Sequence, residues 1–115
     1  MIDPNEVLAG LVRAGFRQVG TSSKVSRYER GGETVYLKIK GTEHPLVVHG
    51  KHGSKLPILL AIPGVTRNKP SSAPYHNSNM RAFDERKNTG QRRTRYGFDF
   101  GFRDVAALAD FLSAI

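Results

Sequence analysis

The sequence predicts an α+β fold in which residues 1–115 form a single domain. Three observations predict it. A capped amphipathic helix opens the chain, a second one closes it, and short segments with period-two apolar alternation run between them. Two helices with one apolar stripe each bury those stripes on the meander they bracket, here three- to four-stranded and antiparallel. A chain of 115 residues is long enough for one hydrophobic core and too short for two.

The elements follow in order. Asp3 offers an N-cap, Pro4 suits the first helical position, and Glu6 stands where a capping box places its acid. Val7, Leu8, Leu11 and Val12 form one stripe and Gly15 supplies a stop, giving a helix over residues 4–14. Residues 16–19 read as a short strand, 21–24 as a polar turn, and 25–29 as a second strand with Val25 and Arg27 on one face and Ser26 and Tyr28 on the other. Arg30-Gly31-Gly32-Glu33 reads as a hairpin turn, because Gly-Gly accepts the positive φ of tight two-residue loops. In residues 34–40, Val35, Leu37 and Ile39 alternate with Tyr36, Lys38 and Lys40, the pattern of a half-buried strand. Residues 42–45 turn the chain, and 46–49 form another strand that pairs with the last.

Beyond residue 50 the pattern weakens into a long basic loop region. Residues 55–65 read as a short strand or an irregular apolar plug, 67–79 as loop, 80–83 as a helical turn, and 87–91 as a turn around Asn88 and Gly90. Residues 95–102 read as a short strand with Tyr96, Phe98, Phe100 and Phe102 on one face. Asp104 caps a C-terminal helix over residues 105–114, whose stripe of Val105, Leu108, Phe111 and Leu112 packs on the sheet.

Composition narrows the function. The net charge is +8, which concentrates polyanions around the protein. There is no Cys, so disulfides and thiolate metal sites are excluded, in keeping with a reducing cytoplasm. The N-terminus lacks the basic and apolar regions of a signal peptide. No apolar run approaches the roughly 20 residues of a bilayer span, so the reading is cytoplasmic with no membrane association.

The stretch from Tyr75 to Phe102 interleaves cations with rings. Arg81, Arg86, Lys87, Arg92, Arg93 and Arg95 suit a surface that grips phosphates, with Tyr96 placed to stack on an unpaired base. Arg93 and Arg95 share a strand face if the segment is extended. Lys51 and Lys55, in the glycine-containing segment 50–55, form a second lip; that segment lacks the spacing of a nucleotide-binding P-loop. The expected function is nucleic-acid binding, RNA or a single strand favoured over a specific DNA site, without catalysis, cofactor or metal. About six phosphate contacts imply a log–log salt slope of order −4 to −5.

Two alternatives stay open. One is a protein partner docking on a ladder of Phe98, Phe100 and Phe102. The other is a small nuclease using His49 or His76 as base, since imidazole titrates near neutrality. His49 and His52 point to opposite faces of an extended stretch, which disfavours a metal site there, and no acid stands at ligand spacing.

Several pieces resemble the YgaC-like family of enterobacteria, small cytoplasmic proteins of unknown function. They are Asp3-Pro4-Asn5-Glu6-Val7 with Ala14-Gly15-Phe16, Tyr28-Glu29-Arg30-Gly31, Thr34-Val35-Tyr36-Leu37, Leu46-Val47-Val48-His49, Arg95-Tyr96-Gly97, Gly101-Phe102, Ala107-Leu108 and Phe111-Leu112. That resemblance implies a compact α+β domain and no activity. The first half is also similar to HicA-type toxins, through Ala14-Gly15-Phe16-Arg17-Gln18-Val19, Arg27-Tyr28 and Val47-Val48-His49-Gly50-Lys51-His52. Those toxins have a fold like a double-stranded-RNA-binding domain and cleave mRNA with a His on an early strand. Residues 23–27 contain no His, so this resemblance implies the topology and an affinity for RNA but not cleavage.

Overall fold

The computed structural model describes residues 1–40, 43–67, 73–87 and 93–115. The expected turn at 87–91 lies almost wholly outside the described residues, as do the start of the turn at 42–45, part of the loop at 67–79, and Arg92. Along the chain come α1 (Pro4–Arg13), β1 (Arg17–Thr21), β2 (Val25–Arg30), β3 (Glu33–Lys38), β4 (Leu46–His49), a 3₁₀ helix (Gly50–Lys55), α2 (Leu56–Leu60), β5 (Val65–Thr66), β6 (Tyr75–His76), β7 (Glu85–Lys87), β8 (Arg93–Phe102) and α3 (Val105–Ala114). The fold is α+β, with an antiparallel sheet of consecutive strands between an N-terminal and a C-terminal helix.

Both helix starts form as their sequences dictate. The Asp3 carboxylate accepts from the Glu6 N–H at 2.9 Å while the Glu6 carboxylate accepts from the Asp3 N–H, closing a capping box. Asp104 accepts from the Ala107 N–H at 2.9 Å and starts α3. At their other ends, Arg30 donates to the Ala14 carbonyl at 3.1 Å and to the Leu112 carbonyl at 3.0 Å, with its guanidinium 4.5 Å from the Phe16 ring centroid. One arginine thus satisfies carbonyls at the C-terminal ends of α1 and α3 together.

The sheet order is β1-β2-β3-β4-β8-β5, so the meander is four-stranded and β8 extends it. Residues 30–33 close the β2–β3 hairpin, with Gly31 at φ 58°. β8 is not the short strand expected at 95–102 but a ten-residue strand at the centre of the molecule. Gly97 pairs with both His49 and Tyr75, so β4 and β6 flank β8 on opposite sides. A Cβ on Gly97 would lie 2.5 Å from the Val48 carbonyl oxygen, which explains glycine there. β7 pairs with residues 93–95, making a two-stranded ribbon beyond the end of β4. The region expected as long basic loop therefore carries three short strands and α2; residues 56–60 are helical rather than extended.

Two cores result, one on each face. On the helix face, Val7 and Leu11 of α1 and Leu108, Phe111 and Leu112 of α3 pack on Tyr28, Val35, Leu37, Val48, Phe98, Phe100 and Phe102. Each fully buried large apolar side chain there contributes roughly 1.5–3 kcal/mol. On the other face, Val25, Tyr36 and Val47 are covered by Met80 and Phe83 from the segment after β6. That cover makes β3 buried on both faces rather than half-buried, and Ile39, past the strand end, is exposed.

The second face also holds an ion cluster. Lys38 Nζ lies 2.9 Å from Asp99 Oδ2, and an Arg67 Nη lies 3.6 Å from Asp99 Oδ1. Arg67 Nε also donates to the Asp99 carbonyl at 3.2 Å, and Lys38 Nζ sits 3.9 Å from the Tyr75 ring centroid. Burial pushes the Arg67 guanidinium below its ordinary pKa, and the Asp99 charge partly opposes that shift.

Candidate nucleic-acid interface

The alternation of β8 decides where the cations of the third quarter go. Phe98, Phe100 and Phe102 belong to the helix-face core, and Tyr96 packs against it. Arg93 and Arg95, at odd positions with Gly97 and Asp99, project from the opposite, helix-free face. Arg93 is exposed and has no ion-pair or hydrogen-bond partner among the described residues. Arg95 donates to the Phe83 carbonyl at 2.8 Å, with its Nε 3.9 Å from Glu85. Arg81 stands in the turn that covers this face, closed by the Phe83 N–H donating to the Met80 carbonyl; it is exposed and makes no ion pair among the described residues.

Arg86 is opposite Thr94 in register and so lies on the other face of the ribbon. Its guanidinium is 5.2 Å from the Tyr96 ring centroid. The Tyr96 ring lies over Gly50, so close that a Cβ on Gly50 would meet it at 2.5 Å. Tyr96 is therefore held between the Gly50 backbone and Arg86, half-buried, on the side away from Arg93 and Arg95. The expectation that it stacks beside those two arginines is corrected: Tyr96 is one position from Arg95 and three from Arg93, and an odd offset along a strand reverses the face. Lys51 follows Gly50 in the 3₁₀ helix, its Nζ 3.2 Å from Glu33 Oε1. Lys55 ends that helix, exposed and without a partner among the described residues. Lys87 opposes Arg93 in the ladder, and Arg92 lies outside the described residues.

The cations thus form two groups around one ribbon. Arg81, Arg93 and Arg95 occupy the helix-free face, while Arg86 and Tyr96 occupy the other with Lys51 adjoining and Lys55 at the end of the same 3₁₀ helix. They do not share a single flat patch.

The histidines are occupied. His49 Nδ1 accepts the Lys51 N–H at 2.9 Å, and its Nε2 lies 3.7 Å from Asp84 Oδ2. A proton taken up at Nδ1 would compete with this hydrogen bond for the same lone pair. His52 is buried with its Nε2 2.9 Å from Glu33 Oε2. Burial alone raises the Glu33 carboxyl, but the hydrogen bonds and charges of His52 and Lys51 outweigh it and hold the group below the usual carboxylate range. No group of three His, Asp or Glu among the described residues is arranged to hold a metal ion.

Phe100 and Phe102 have no exposed surface and Phe98 almost none, so the ladder that suggested a protein-docking face is core. No helix among the described residues is long and apolar enough to cross a membrane. What sequence reading missed is Arg27: placed on the face of Val25, it emerges beside Arg81 and Asn79 at a cleft. No family model matches this chain, and no curated protein matches it.

Proposed function

We propose that this protein binds nucleic acid, RNA or a single strand in preference to a specific duplex site, and that it holds the strand on the basic ribbon of β7 and β8. One observation carries the reading: the ribbon presents arginines from both faces, Arg93 and Arg95 on one and Arg86 on the other, with Arg81 beside it, and among the described residues Arg95 alone of these four is ion-paired to an acid. A cation with no acid neighbour keeps its full field for a phosphate, and a ribbon charged on both faces contacts a backbone that wraps it. Tyr96, already stacked under Arg86, offers a ring edge to a base at the same place. Lys51 and Lys55 extend the positive surface along the 3₁₀ helix, and the chain acts by holding the strand rather than by cutting it.

The test is fluorescence anisotropy with a labelled oligouridine at several salt concentrations. Four arginine contacts at about −0.7 each on a single strand give a log–log slope of about −3. Replacing Arg93 and Arg95 by alanine lowers the slope by about 1.4. Salt-independent binding, or a double variant with the wild-type slope, overturns the proposal. Labelled RNA recovered intact after incubation, with and without divalent metal, separates holding from cleavage.

A further inference from the structure

The helix-free face contains a cleft of about 290 Å³ between the β1–β2 turn and the turn at 79–83. Its floor is apolar, formed by the buried side chains of Val25 and Tyr36. Its rim carries Arg27, Arg81, Asn79 and the hydroxyl residues Thr21 and Ser22, and no acid lines it. Tyr36 is fixed from below: its hydroxyl accepts the Ala82 N–H at 3.0 Å and its ring meets Phe83 edge-on at 4.8 Å.

Some donors around this cleft have no partner among the described residues. Arg27 pairs with Glu29 through one Nη, while its buried Nε–H has no partner among the described residues. Arg81 has no partner among the described residues. Asn79 uses its backbone N–H on Asn77 Oδ1 at 2.9 Å, and its side-chain amide has no partner among the described residues. Arg81 suits a phosphate, with Arg27 beside it contributing hydrogen bonds while Glu29 offsets its charge. The Asn79 amide suits a base edge, and an apolar floor suits the flat body of a base.

We infer that this cleft is a nucleotide subsite. One phosphate sits between Arg27 and Arg81, and the attached nucleoside lies over Val25 and Tyr36 within reach of Asn79. The inference rests on the nucleic-acid reading for the source of the ligand, a unit of the bound strand; a free nucleotide has the same chemistry. The two sites are joined. The turn that carries Arg81 ends at Phe83, whose carbonyl holds Arg95, so a strand lying along Arg93 and Arg95 is led toward the cleft.

The experiment is a ¹⁵N-edited NMR titration with three probes: inorganic phosphate, uridine 5′-monophosphate and a short oligouridine. Saturable shifts at the Ser22, Val25 and Arg81 amides with the monophosphate or the oligouridine are expected. Shifts with the oligouridine alone assign the subsite to the strand, and shifts with both assign it to nucleotides in general. Arg27→Gln and Arg81→Gln each weaken binding by about tenfold, the loss of one charge-assisted hydrogen bond. Asn79→Ala weakens nucleotide binding severalfold and leaves phosphate binding unchanged. Arg27 and Arg81 are not buried, and retained spectral dispersion in the variants confirms the fold. Phosphate binding as tightly as the monophosphate overturns the nucleotide assignment. If the oligouridine shifts Arg93 and Arg95 but not Ser22, Val25 or Arg81, the subsite falls and the ribbon interface stands. If it shifts neither set, both fall.

Discussion

Asp99→Asn removes the carboxylate shared by Lys38 and Arg67 on the helix-free face while keeping side-chain volume. The Asp99 carboxylate, 4% exposed, answers Lys38 at 2.9 Å and Arg67 at 3.6 Å, whose side chains are 13% and 2% exposed. Breaking a buried pair by removing one partner costs roughly 3–5 kcal/mol, and the bonds Arg67 keeps to the Asp99 and Ala73 carbonyls offset part of that. Lys38 has some access to solvent and can lift its ammonium toward it, whereas Arg67 cannot, so the lower end of that range applies. A loss of about 3 kcal/mol lowers the melting temperature of a domain of this size by about 10 °C. Urea unfolding followed by circular dichroism measures the change directly. Lys38→Met leaves Asp99 with Arg67 and is expected to cost less. If Asp99→Asn costs no more than about 0.5 kcal/mol, as an ordinary surface substitution does, the cluster is not buried as described.

Two further predictions concern stability. Glu33 has its pKa lowered in the folded state, so its contribution is fully present above about pH 4.3, the unfolded value, and is lost as pH falls through the folded value. Glu33→Gln is expected to flatten the stability profile in that acidic window, read by thermal melts across pH 3 to 6; an unchanged profile contradicts the Glu33–His52–Lys51 arrangement. Gly97→Ala places a methyl 2.5 Å from the Val48 carbonyl oxygen and 3.0 Å from the Phe83 ring, and should cost at least about 1–3 kcal/mol in urea unfolding. A neutral result would mean that β4 and β8 are not held at this spacing.

The ends of the fold were legible because their signals are local. Asp3-Pro4-Asn5-Glu6 and Asp104 each specify a helix start within four residues, and the alternation from Val25 to Leu37 specifies faces within a hairpin. The full length of β8 was not legible, because Arg93 to Arg95 are polar and no local pattern announces their pairing with β7. Lys38 and Asp99 are 61 residues apart, and no local pattern announces their pairing. The same holds for the candidate site. Alternation put Arg27 on the face of Val25 but could not show that Met80 and Phe83 return to cover that face, leaving Arg27 at the rim of a cleft. The arginine cluster was visible as composition; its division between two faces of a ribbon depended on a register that composition does not contain.

Under the proposed function, the position of the ribbon arginines, and not net charge, sets nucleic-acid affinity. Two variants of equal charge test it most directly. Arg93→Glu with Arg95→Glu, and Arg13→Glu with Arg103→Glu, each replace two of the 18 basic residues with acids and lower the net charge of +8 by the same amount. Measured against the same labelled oligouridine at one salt concentration, the ribbon pair is predicted to lose binding by about two orders of magnitude while the pair outside the ribbon stays within a fewfold of the wild type. Equal losses in both would show that binding follows bulk charge, and the ribbon would have no special role.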